Sequence, residues 1–90
     1  MPRGGETMTE DFDLLLEQLL ELAQGAGIEI RLERFGRDAA TCHLKGKRVI
    51  FLDPEIAPRL KVAALAQELS QCSWEGLYLR PRVRELLETE

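Results

Sequence analysis

The change of hydrophobic period around residue 27 constrains this chain more than any other feature. Phe12, Leu15, Leu16, Leu19, Leu20, Leu22 and Ala23 recur at helical spacing, with Glu17, Gln18, Glu21 and Gln24 between them. Gly25 and Gly27 then interrupt the pattern, and "IEIRLER" (28–34) alternates strictly. Ile28, Ile30 and Leu32 point one way; Glu29 and Arg31 point the other. A helix over about 9–24, capped from Thr9 or by a Thr7–Glu10 capping box, therefore runs into a half-buried strand.

Two further strands are expected. "FGRD" (35–38) supplies a turn, and "ATCHLK" (40–45) alternates again. The expectation is that Cys42 and Leu44 face inward while Thr41, His43 and Lys45 face outward. "KGK" (45–47) marks a tight hairpin around Gly46. "RVIFLD" (48–53) is apolar without interruption at Val49, Ile50, Phe51 and Leu52, which predicts a strand covered on both faces.

Asp53-Pro54 ends the strand, and Pro58 suits the first turn of a second helix. Leu60, Val62, Ala63, Leu65, Ala66 and Leu69 carry its apolar face to about Cys72. Gly76 interrupts, and Pro81 opens a short last helix through Val83, Leu86 and Leu87. The expected fold is α+β: a three-stranded antiparallel β-meander packed with two main helices and a short C-terminal helix, in the order α-β-β-β-α-α. Residues 1–8 are read as a flexible tail and 9–90 as a single domain.

Composition narrows the function classes. Ninety residues bury only about 60–65% of the surface that the unfolded chain exposes, so the core is thin. The six leucines of the first helix (14, 15, 16, 19, 20 and 22) exceed one narrow stripe, and a homodimer is the expected supplement. A net charge of −4 argues against nucleic acid as a partner. The one contrary feature is local: residues 28–53 hold six bases against four acids. Two cysteines are too few for a disulfide scaffold. The N-terminus has no apolar signal region and no apolar run approaches a membrane span. The expectation is a cytoplasmic protein with reduced thiols.

One stretch spells a chemical motif. "LAQELSQ" (65–71) places Gln67, Glu68 and Gln71 at the spacing of the zinc-protease helix His-Glu-x-x-His. Ligands at i and i+4 lie on one face one turn apart, and the intervening glutamate takes a proton from metal-bound water. With "VIFLDP" (49–54) and the order of elements, this text resembles the minimal zincin core of the ImmA/IrrE-type metallo-endopeptidases over residues 12–75. The resemblance implies that Gln67 and Gln71 stand where that family has its metal-binding histidines, and Glu68 where it has the general base. A neutral amide oxygen is a poor zinc ligand, and no third ligand is marked among Glu75, Glu85 and Glu88. Equally, Gln67, Glu68 and Gln71 can be read as the polar side of an amphipathic helix. On either reading no metal, cofactor or catalytic residue is assigned.

Other candidate chemistry is thin. Cys42 and His43 are strand neighbours on opposite faces and cannot grip one metal. A Cys72–His43 dyad would need the two within hydrogen-bond reach. Ser70 has no base nearby in sequence. Trp74 is assigned to the core, and Arg80, Arg82 and Arg84 to a solvated face paired with Glu85, Glu88 and Glu90. The sequence thus favours a small non-catalytic interaction or structural protein, self-associating or bound to a protein partner. The alternatives are a metallopeptidase-like hydrolase with an unidentified site and a small regulatory module that meets nucleic acid through its basic hairpin.

Overall fold

The computed structural model describes residues 10–88. The expected flexible tail over 1–8 and the caps at Thr7 and Thr9 lie outside the described residues. Helix α1 spans Phe12–Gly25, and Asp11 caps it by accepting a hydrogen bond from the Leu14 N–H at 3.0 Å. Leu15, Leu19 and Ala23, one turn apart, are its buried residues. Its end is fixed by local chemistry. Gly27, at φ 79°, lets the Ile28 N–H reach back to the Ala23 carbonyl while its own N–H bonds Gln24. This Schellman closure needs a left-handed residue at that position, which glycine supplies without a Cβ clash.

Strands β1 (Glu29–Leu32), β2 (Ala39–Leu44) and β3 (Lys47–Leu52) follow, then α2 (Pro58–Leu69) and α3 (Pro81–Glu88). The α+β class is as expected, and so is the succession of elements among the described residues, but the sheet is not an antiparallel meander and its strand order is different. Its strand order is β1-β3-β2, with β1 parallel to β3 and β2 antiparallel to it. The physical reason lies in β3. Val49, Ile50 and Leu52 are each about 1% exposed or less, and so apolar a strand gains most from a neighbour on each side. The segment 33–38, which includes the turn expected at 35–38, carries the chain across to the far edge and leaves a slot that β3 fills. The Glu33 N–H continues the parallel ladder onto the Leu52 carbonyl at 3.1 Å.

The β2–β3 hairpin closes through Lys45 and Gly46, both left-handed at φ 53° and 78°, the signature of a two-residue type I′ turn. That turn fixes the register: Leu44 opposes Lys47, Cys42 opposes Val49 and Thr41 opposes Ile50. The facing expected for β2 is therefore inverted. Ile50 belongs to the helix-side core, so Thr41 faces the helices, whereas Cys42 and Leu44 lie on the helix-free face. The residues of β2 offer little apolar contrast, and the turn together with β3 decides which side is buried. On the helix-free face Phe51 is shielded by Phe35, ring centroids 6.0 Å apart, and by the Arg31 guanidinium 6.0 Å from its ring centre.

The core lies between the sheet and the helices. Leu19 of α1, Ile50 of β3, and Leu65 and Leu69 of α2 are fully buried in it, and α3 adds Val83 and Leu87. Pro58 begins α2 as expected, but the helix stops at Leu69, before Cys72. Trp74 packs against the core and donates its indole N–H to the Leu69 carbonyl at 2.8 Å. The arginines near α3 meet carboxylates: Arg82 joins α3 to the residue before the Asp11 cap of α1 by gripping both carboxylate oxygens of Glu10, and Arg84 pairs with Glu88. Among the described residues, no helix is long and apolar enough to cross a membrane.

Candidate functional site

Helix α2 lies beside the edge strand β2, and the two form a shallow cleft. Ala39, Leu60, Ala63, Ala64, Gln67 and Glu68 line it, together with Arg37 and Asp38 from the loop before β2; its volume is about 370 Å³. The small side chains of Ala63 and Ala64 keep that side of α2 low. The loop is held in place because the Asp38 carbonyl accepts the Asp53 N–H at 2.9 Å.

The interaction that organises the cleft joins the two elements. Thr41 of β2 donates its hydroxyl to Glu68 Oε1 at 2.6 Å, in half-buried surroundings. A hydroxyl bonded to a carboxylate is charge-assisted, and the short distance fits that class. Nothing local in the sequence marks Thr41. The signal that could have found it is the count outward from the Lys45-Gly46 turn, which sets Thr41 opposite a core isoleucine.

The motif positions separate. Gln67 and Glu68 both line the cleft, Gln67 exposed and Glu68 half-buried. Gln71 is exposed and lies beyond the last residue of α2. The turn that carries it is tightened: the Ser70 N–H still bonds four residues back to Ala66, but Gln71 and Cys72 bond only three back, to Glu68 and Leu69. Three-residue closure advances each position by more than the α-helical angle, so Gln71 does not stand squarely one turn above Gln67. Ser70 points its hydroxyl back to the Gln67 carbonyl at 2.7 Å, which fixes it in the helix end.

The remaining candidates do not converge. Cys42 and His43 take opposite faces of β2, and among the described residues no hydrogen bond joins His43 to either thiol. Cys72 is half-buried against the core beyond α2. Among the described residues no three side chains of His, Cys, Asp or Glu gather where they could hold a metal ion.

Comparison with family models, curated proteins and solved structures returns no match. The functional reading therefore rests on the geometry of this cleft and on the chemistry of the residues in it.

Proposed function

We propose that the chain is a small cytoplasmic interaction or structural protein, built on a metal-free relative of the zincin core and working without catalysis. The carrying observation is the bond from Thr41 to Glu68. A glutamate that acts as general base in a zinc site must face a metal-bound water between two strong ligands. Glu68 instead has amides at 67 and 71 and accepts a hydrogen bond from the Thr41 hydroxyl of the neighbouring strand. It serves as a strut that locks α2 to β2. The cleft beside it, with an apolar floor at Leu60, Ala63 and Ala64 and polar ends at Arg37 and Gln67, is the surface we assign to a protein partner. A second copy of the chain is a further partner, in keeping with the thin core of a 90-residue domain.

Metal analysis of the purified chain, paired with a peptidase assay on an unfolded protein substrate, tests the reading. The expected result is no stoichiometric zinc and no cleavage with or without added zinc. One zinc per chain, or cleavage abolished by Glu68→Gln, would overturn it.

A further inference from the structure

Strand β1 is the other edge of the sheet, and its ladder has a definite phase. The Glu33 N–H bonds the Leu52 carbonyl, and Leu32 stands opposite Leu52. In a parallel ladder only alternate residues bond a given neighbour, so Glu29, Arg31 and Glu33 serve β3. The backbone groups of Ile28, Ile30 and Leu32 therefore point to the open edge. The Ile28 N–H is already committed to Ala23; the Ile30 and Leu32 N–H groups and the Ile28 and Ile30 carbonyls are available there. Beside this edge runs a groove of about 460 Å³ lined by Leu20, Gln24, Ile28, Ile30 and Leu32, among others. Leu32 is 59% exposed.

The text of the edge is self-complementary. Folded back on itself about Ile30, "IEIRL" sets Ile28 against Leu32 and Glu29 against Arg31. We propose that β1 pairs with β1 of a second copy of this chain, antiparallel about a two-fold axis at Ile30, and joins two three-stranded sheets into one of six strands. This deepens the self-association reading above and rests on it. Ile30 of each copy exchanges both backbone hydrogen bonds with its counterpart, and each Leu32 N–H reaches the other copy's Ile28 carbonyl. On the groove side, Ile30 meets Ile30 and Leu32 meets Ile28, which covers the exposed leucine. On the opposite face Glu29 and Arg31, 2.6 Å apart within one chain, meet Arg31 and Glu29 of the other copy and make a ring of alternating charge.

A two-fold axis at Arg31 would set Arg31 against Arg31 and Glu29 against Glu33, like charge opposite like charge, and one at Leu32 would set Ile30 against Arg34. The leucines of α1 are not the leftover surface: Leu16, Leu20 and Leu22 pack against the core, and of the six only Leu14 is exposed. The edge β2 carries no comparable charge alternation.

Sedimentation equilibrium on the full chain over a wide concentration series tests the proposal, with circular dichroism on every variant to show that it folds. Wild type is expected to dimerise. Leu32→Lys, at an exposed position, is expected to weaken the dimer about tenfold or more by placing a charge at the paired edge. Glu29→Arg and Arg31→Glu alone each oppose like charges and weaken it as well, while the double exchange restores it. Single exchanges that weaken a dimer the double exchange does not restore overturn the register about Ile30. A dimer untouched by Leu32→Lys but dissolved by Leu14→Glu overturns the edge while leaving self-association standing. A monomer at every concentration overturns both.

Discussion

Replacing Thr41 with Val removes one oxygen and leaves the shape of the side chain almost unchanged, so it isolates the bond on which the cleft depends. Valine suits a strand at least as well as threonine, and no backbone cost is expected. A hydrogen bond to a charged group contributes about 1.5–3 kcal/mol where it is well buried. Glu68 is only half-buried, so water recovers part of that when the hydroxyl is lost, and the expected destabilisation is about 1–2 kcal/mol. For a domain of this size each kcal/mol corresponds to about 4–8 °C in Tm. Glu68→Ala should cost a similar amount by leaving the Thr41 hydroxyl without its acceptor. The decisive quantity is the coupling between the two changes. Urea unfolding of wild type, both single variants and the double variant, followed by the fluorescence of Trp74, should give a coupling energy of about 1 kcal/mol. Strict additivity would mean that Thr41 does not face α2. The register of β2 would then be the opposite one, with Cys42 toward the helices, and the strut reading of Glu68 would fall with it.

Two further perturbations test other parts of the fold. Lys45 holds a left-handed conformation in the hairpin turn, which asparagine tolerates better, so Lys45→Asn should raise stability by about 0.5–1 kcal/mol in a calorimetric melt; a fall in Tm would contradict the type I′ turn. The Arg82 guanidinium bonded to Glu10 holds that carboxyl below its ordinary value of 4.5. A depressed carboxylate contributes stability that is fully present above the unfolded value and is lost as pH falls through the folded one. The stability gap between wild type and Arg82→Gln should thus be constant at neutral pH and close only below about pH 4.5; a gap that closes at higher pH would mean another group carries the effect.

Local chemistry made the helices and the first strand legible. The two glycines after Gln24 signal the end of α1, and Gly27 closes it through hydrogen bonds between residues only three and five apart. Pro58 and Pro81 mark helix starts for an equally local reason. Strand alternation, by contrast, reports which face a residue takes and not which strand lies alongside. The parallel pairing of β1 with β3 was therefore hidden, although the unbroken apolar run at 49–52 already described a strand that wants cover on every side. The early stop of α2 had no glycine or proline to announce it before Gly76. At the site, the helix text exposed Gln67 and Glu68. It could not reveal Thr41, whose partner lies twenty-seven residues away and whose strand offered too little apolar contrast to fix its own facing.

The strand order also sets a sequence of events for a chain emerging from a ribosome. Each residue of β1 finds its partner twenty positions later, Glu29 with Val49 and Leu32 with Leu52. The β2–β3 hairpin grows outward from a turn in which Leu44 and Lys47 already touch. Short loops close at lower entropic cost, and hairpins form within about 1–10 μs. Helix α1 and strand β1 are thus synthesised early and must wait for the middle of the sheet, which is made after both of its edges. Until β3 arrives, the alternating stretch of β1 has two open sides instead of one. Its interleaved Glu29, Arg31 and Glu33 are the feature that keeps such a nascent segment hydrated and discourages pairing in the wrong phase.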